Sequence, residues 1–197
     1  MRSSRAISRG TPSRRGSLVN SVLRGPARCC RANSLPGSIL RRRATRAESV
    51  LAKITLREIT KVNWRECARL RVAEDQVEFV TGNAYSLAQS RYEPNCLPFG
   101  IYADGVIVGF VMYGLNEYDG RYWIFRFMID ERYQGKGYGK TALAEVIHRL
   151  RDDHDAREVR LSCNPANAPA LRIYERAGFT RTGEMLGKEI VMRLKLA

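Results

Sequence analysis

The chain has no apolar run that approaches the length of a membrane span, so no helical transmembrane segment organises it. It shows no internal repeat, which excludes solenoid and propeller architectures. Its five cysteines are odd in number and scattered, with Cys29 and Cys30 near the start and Cys67, Cys96 and Cys163 further on. That pattern forms neither a disulfide framework nor zinc-ligand spacing, so no metal is expected, and a reducing, cytoplasmic setting is. Histidine is nearly absent: His148 and His154 fall in or just after one polar-faced helical stretch, where solvation is the expected role. Lysine is missing altogether from residues 1–50.

Those fifty residues hold twelve arginines and a single acid, Glu48, and so carry +11 of the total +14. Residues 51–197 keep only +3, an ordinary balance that gives no reason to expect nucleic-acid binding by the body of the chain. The first segment is rich in Arg, Ser, Gly and Pro without an apolar period, a composition expected to stay disordered. It reads first as sequence outside the natural protein, with Leu51 as a misassigned alternative start. An organellar transit segment is the second reading, and a basic arm for nucleic acid or an anionic membrane the third. Residues 51–197 have the size of one ordinary domain.

Within that domain, Lys53–Ile59 alternates as a strand, and Asn63 with Glu66 resembles a capping box opening a short helix to about Arg71. A second helical region is predicted from about Asp75 to Gln89, broken near Gly82 and restarted at Asn83. Pro98–Ala103 and Val106–Tyr113 flank Asp104-Gly105, a two-residue hairpin signal, and "NEYDG" turns the chain into a third β-rich run, Arg121–Ile129. Ala142, Leu143, Val146, Ile147 and Leu150 then recur at helical spacing. A strand at Arg157–Cys163, a helix from Asn167 to Ala177 stopped by Gly178, and strands near Phe179–Gly183 and Glu189–Leu196 complete the chain. The predicted fold is α/β (α+β): one mixed, mostly antiparallel sheet flanked by helices, in the order βααβββαβαββ.

The stretch "DERYQGKGYGKT" nearly fits three phosphate-binding motifs. A kinase-type loop needs glycine where Gln134 stands and an acid at the end of a later apolar strand, which "VRLSCNP" lacks. A dinucleotide loop needs an acid about 20 residues on, and the same strand refuses it. The third pattern, [QR]-x-x-G-x-[GA], is met by Gln134, Gly137 and Gly139. A glycine loop feeding a helix N-terminus offers backbone N–H groups and the positive dipole end to a diphosphate, and a β-carbon would hinder that approach.

"NAPALRIYERAGF", Asn167 to Phe179, resembles the N-x-x-A-x-x-x-Y-x-x-x-G-F signature of the GNAT superfamily of N-acetyltransferases through Asn167, Ala170, Tyr174, Gly178 and Phe179. The resemblance covers about Ile54 to the C-terminus. "PFGIYADGVIVGFVMYG", "YWIFRFMIDERYQGKGYGK" and "TGEMLGKEIVMRL" are similar to the bacterial spermine/spermidine (diamine) acetyltransferases. One departure is Cys163-Asn164, where that group is expected to carry an aromatic–acid pair near the acceptor site.

The resemblance implies a GNAT-like fold and direct acetyl transfer from acetyl-CoA to a primary amine of a polyamine. An aminoglycoside-like antibiotic or a protein N-terminus is the alternative acceptor, and a homodimer is left open. It implies that the backbone of Phe127 and Ile129 pairs with the pantetheine arm, the Ile129 N–H serving as oxyanion donor. The diphosphate falls to Gln134, Gly135, Lys136, Gly137, Tyr138 and Gly139 with Lys140 nearby, and Asn167 hydrogen-bonds the pantetheine arm. Tyr174 becomes the acid that protonates the leaving thiolate; without the resemblance it reads as a core aromatic. An alkylammonium, pKa about 10.4, must lose a proton before attack, and Glu117 is the first candidate to accept it through water, ahead of Glu93 and Asp119. Glu74, Asp75 and Glu78 are candidates to attract distal charges of a polyamine. Taken alone, each of these acids reads more readily as a solvated surface carboxylate. Cys163 as a ping-pong nucleophile lacks a neighbouring histidine.

Overall fold

The computed structural model describes residues 52–196, so the expectations for residues 1–50 lie outside the described residues. β1 (Ile54–Glu58), α1 (Trp64–Arg69), α2 (Asn83–Tyr92), β2 (Leu97–Ala103), β3 (Val106–Asn116) and β4 (Arg121–Ile129) make the first half. α3 (Tyr138–Asp152), β5 (Glu158–Cys163), α4 (Ala168–Arg176), β6 (Thr180–Leu186) and β7 (Glu189–Lys195) make the second. The element order is the predicted one, with two short 3-10 turns added at Glu74–Phe79 and Glu131–Tyr133.

The seven strands form one sheet in the order β1-β2-β3-β4-β5-β7-β6. Every neighbouring pair is antiparallel except β4–β5. That parallel pair follows from the connection, since α3 carries the chain back across the sheet between β4 and β5. The β2–β3 hairpin turns where expected, with Asp104 (φ 48°) and Gly105 (φ 87°) both left-handed. β3 crosses the middle of the sheet and is buried from Ile107 to Gly114.

The two faces of the sheet carry separate cores. α3 lays Ala142, Leu143, Val146 and Leu150 on one face, against Val111, Ile124, Val159 and Met192. Fully burying a Leu or Val side chain stabilises by about 1.5–3 kcal/mol, so this one stripe fixes α3 under β4 and β5. The opposite face holds a smaller cluster of Cys67, Leu70, Phe110, Met112 and Met128 beneath α1 and α2.

The capping box does not form. Asn63 adopts a helical backbone (φ −111°, ψ −8°) and makes no side-chain cap bond. Its Oδ1 accepts instead from the Thr60 N–H at 2.7 Å, and its Nδ2 donates to the Glu58 carbonyl at 2.9 Å. An N-cap side chain ordinarily works from a non-helical backbone, and this one ties the end of β1 instead. The Asp75–Gln89 region divides as predicted near Gly82, but its first part is a 3-10 turn, and α2 runs on to Tyr92.

Candidate active site

β4 and β5 part company at the centre of the sheet. They pair only over Tyr122–Val159, Trp123–Arg160 and Ile124–Leu161. Beyond that point β4 stays with β3 as far as Ile129–Gly109, and β5 stays with β7 as far as Cys163–Ile190. The separation coincides with a β-bulge. Tyr113 pairs with Ile124 but Met112 pairs with Arg126, so Phe125 is an extra residue on β4. Ile124 and Phe127 consequently pack into the same core although three residues apart, where regular alternation would oppose them. A bulge bends and twists its strand, and here it swings β4 away from β5.

Past the bulge, the Asp130 N–H donates to the Val108 carbonyl at 2.9 Å. By the two-residue alternation of an antiparallel ladder, the backbone N–H and C=O groups of Phe127 and Ile129 then face away from β3, into the gap. The Ile129 carbonyl accepts from Gln134 Nε2 at 2.9 Å. A cleft of about 710 Å³ fills the separation, within the usual range for a small-molecule site.

The glycine loop closes one end of this cleft. Gly135 (φ 74°) and Gly137 (φ 83°) are left-handed, a conformation costly for residues with a β-carbon. A Cβ at either would meet nothing within 4 Å, so the backbone angle alone demands glycine there. Gly137 is the N-cap of the fifteen-residue α3 and offers no side chain, so the first N–H groups of the helix have no side-chain cap. With the dipole behind them they form a ready anion site. Gly135, Gly137, Tyr138, Gly139 and Lys140 line the cleft. Lys136 does not; its Nζ lies 5.2 Å from the centre of the Tyr133 ring.

Gln134 lines the cleft too, and its side chain is held by protein partners. Besides Ile129, it exchanges two amide hydrogen bonds with Gln76 of the 3-10 turn, at 2.9 and 3.1 Å. It therefore ties the loop to the end of β4 and to the segment between α1 and α2. Asp130 makes a second tie. It is 2% exposed and accepts from the Arg71 N–H (3.0 Å), the Arg132 N–H (3.1 Å) and the Arg132 guanidinium (2.7 and 3.2 Å). Burial pushes the Asp130 carboxyl up, but these hydrogen bonds together hold it below the ordinary aspartate value.

α4 supplies the opposite lip. Asn167 is its N-cap, accepting from the Ala170 N–H at 3.2 Å, and it lines the cleft with its amide Nδ2 unused among the described residues. About two turns on, Tyr174 is buried between Phe127 and Phe179, at ring-centre distances of 6.5 and 6.0 Å. Burial pushes its phenol well above the ordinary value of 10, with Cys163 and Glu189 adding in the same direction. No protein group hydrogen-bonds its hydroxyl among the described residues. Burial, with Glu189, also pushes the Cys163 thiol up to about 11, so its thiolate is about one part in ten thousand at neutral pH. Cys163 is thus no ready nucleophile.

The expected carboxylates gather differently. Glu117 is exposed in the β3–β4 turn, next to the cleft-lining Asn116, and accepts from Asn95 Nδ2 at 2.7 Å. Asn95 sits so close over β3 that a Cβ on Gly114 would lie 1.6 Å from its carbonyl oxygen. Glu93 accepts from Gln89 and from the Cys96 thiol, while Asp119 accepts from the Trp123 indole at 3.0 Å and from the Arg121 N–H. None of the three lines the cleft, nor do the exposed Glu74, Asp75 and Glu78, although Val72, Gln76, Phe79 and Val80 of the same stretch do. Among the described residues, the cleft-lining carboxylate is Glu189, at the start of β7, held by the Ser162 hydroxyl of β5. Sequence reasoning missed Glu189, Gln76 and Asp130. Only Asp130, directly ahead of the loop, carried a local signal.

Residues 57–179 match the acetyltransferase (GNAT) family. The chain is 37% identical over 138 residues to the spermine/spermidine N(1)-acetyltransferase of Bacillus subtilis (strain 168), covering 67% of this chain and 91% of that protein. It is 36% identical, with the same coverage, to the probable spermine N(1)-acetyltransferase of Bacillus subtilis subsp. natto (strain BEST195). Among solved structures, an aminoglycoside acetyltransferase AAC(6')-Ib in complex with coenzyme A superposes with a TM-score of 0.62 at 19% identity, covering 73% of this chain and 95% of that one. The PaiA N-acetyltransferase of Thermoplasma acidophilum, also with coenzyme A, gives 0.54 at 19% identity, covering 73% and 99%.

Proposed function

The chain belongs to the GNAT acetyltransferase family and is an acetyl-CoA-dependent N-acetyltransferase; on that premise we propose that its acceptor is a primary amine of a polyamine, spermidine, spermine or a diamine. The acceptor class rests on the identity to spermine/spermidine acetyltransferases, which extends over 91% of their length. The cleft supports the transfer chemistry through one observation above the others. The splay of β4 from β5 turns the backbone groups of Phe127 and the Ile129 N–H into a gap that ends at a helix N-terminus without a side-chain cap. An extended, amide-containing arm with a diphosphate at its end fits that combination.

Acetyl-CoA, as cosubstrate, supplies an activated acetyl thioester. The chain's own groups then divide the work. The Ile129 N–H is the donor toward a developing oxyanion; removing such a donor costs about 2.7–4 kcal/mol in comparable sites. Phe127 and Asn167 Nδ2 orient the arm, and the loop from Gln134 to Gly139 with Lys140 holds the diphosphate end, Gln134 by fixing the loop. Tyr174 keeps its proton across the physiological range and gives it to the leaving sulfur, whose basicity the same dry surroundings raise. Glu117, beside Asn116 at the cleft, is the proton acceptor for the ammonium through water. Among the described residues, three free, buried cysteines suit a reducing, cytoplasmic setting.

Thiol release with spermidine, spermine, short diamines, an aminoglycoside and a peptide N-terminus tests the reading. Turnover on the polyamines in preference to the others is expected, and turnover confined to the aminoglycoside or the peptide overturns it. Glu117→Gln is expected to lower kcat most at low pH, where fewer acceptor molecules are already neutral. An unchanged pH profile removes Glu117 as the proton acceptor.

A further inference from the structure

The acids expected to receive the amine do not line the cleft, which leaves the anionic side of the acceptor site unassigned. Other carboxylates around β4 and β5 are already occupied. Glu158 and Glu184 flank the buried Arg160 at 2.8 and 2.9 Å, Asp119 holds Trp123 and Arg121, and Asp130 holds Arg132. Glu189 differs from all of them. It is half-buried, it lines the cleft, and among the described residues it has no cationic partner.

One Glu189 oxygen, Oε2, accepts from the Ser162 hydroxyl, and Oε1 has no protein donor among the described residues. Ser162 pairs with Val191 across β5–β7, so Ser162 and Glu189 project from the same face of those strands. The opposite face is that of Cys163 and Tyr174. The charge of Glu189 nonetheless reaches both the Tyr174 phenol and the Cys163 thiol. The cations lining the cleft are Lys140 and Arg176 from α3 and α4, and Arg126 of β4, whose Nη1 donates to the Phe125 carbonyl at 2.7 Å. Phe125, Trp123 and Leu186 give the acceptor side an apolar, partly aromatic lining suited to methylene groups.

We propose that Glu189 receives the ammonium group of the acceptor amine, which lies against the β5–β7 wall across the gap from Phe127 and Ile129. Ser162 is a positioning residue that holds one oxygen and leaves the other free for the amine. The assignment rests on the amine-acetyltransferase reading above and names the acceptor subsite within it. It makes the site select a cationic amine by charge, and it places recognition on the strand that closes the fold rather than on the early helices.

The test compares the wild-type full chain with Glu189→Gln, Glu189→Asp and Ser162→Ala, using spermidine as acceptor. Gln still accepts from Ser162, so a thermal melt close to wild type is expected. KM for spermidine rises about 10–100-fold in Glu189→Gln, with kcat and the KM for acetyl-CoA within about threefold. Glu189→Asp and Ser162→Ala fall between. The wild-type KM increases with added salt, and that of Glu189→Gln loses this dependence. Calorimetric titration of spermidine onto the CoA-loaded protein reads the same loss without turnover. An unchanged KM and spermidine affinity in Glu189→Gln, with an active wild type, overturns the Glu189 assignment and leaves the amine reading standing. A wild-type protein that neither binds nor turns over any amine overturns both.

Discussion

The two walls of the cleft are built from different material. The wall proposed for the cosubstrate is backbone: the outward-facing groups of Phe127 and Ile129, the left-handed glycines, and the first turn of α3. The wall proposed for the acceptor is side chain: Glu189, Ser162, Phe125, Trp123 and the 3-10 segment around Gln76. A backbone site needs only a strand path, two glycines and a helix start, all local. A side-chain site needs residues from distant parts of the chain to meet, and each can be exchanged without disturbing the fold. One wall can stay constant while the other changes its substrate.

Substitutions that act on one wall alone test this division. The largest effect is expected where the walls meet. Tyr174→Phe should lower kcat about 10²–10³-fold while the KM for acetyl-CoA stays within about twofold. Because its phenol is raised above 10, the wild-type rate should show no loss assignable to Tyr174 ionisation as pH rises to 10. A Phe variant with normal kcat removes Tyr174 from the chemistry. Gly137→Val forces a β-branched residue into φ 83° at the anion site. Acetyl-CoA affinity should fall about ten- to hundredfold, with the acceptor KM untouched. Equal damage to both constants means that the walls are not separable.

Asp130→Asn tests the scaffold under the cosubstrate wall. It should cost about 1–3 kcal/mol of stability at neutral pH, read from the urea midpoint. The sign with pH follows from the lowered folded value. Asp130 stabilises fully above the unfolded aspartate range near pH ~4, and loses that contribution as pH falls through the lower folded value. The wild type should lose its advantage over Asn on acidification, and a difference independent of pH points to packing instead. The smallest effect is expected for Gln76→Leu, which cuts the tie between the walls. Both substrate KM values should rise about two- to fivefold. A change confined to one would show that Gln76 serves a single wall.

This division also sets what the sequence could reveal. Arg121–Ile129 was legible as a strand to the residue, because "NEYDG" marks one end and the glycine loop the other. Gly137 was legible because a loop-to-helix turn is local chemistry, and Asn167 only through the resemblance, its N-cap role emerging in the structure. Glu189 was not, since its partner Ser162 is 27 positions away and they meet only because β7 inserts between β5 and β6. The Gln76–Gln134 pair spans 58 positions and carries no periodicity. Asn63 shows the opposite failure, a local pattern diverted by its contacts with β1. The bulge left no trace either, for Phe125 is neither Gly nor Pro and fits any β-rich run.

That extra residue makes the site depend on a count rather than on a composition. Phe125 occupies one position more than the partner strand provides. A β4 shortened by that residue would keep Ile124 and Phe127 on the face they now share, and every downstream side chain in place. It would also lie straight, free to go on pairing with β5 past Ile124 and Leu161. The sheet would gain hydrogen bonds and the enzyme would lose its opening. Many substitutions at 125 leave the opening intact, whereas a single deletion seals it.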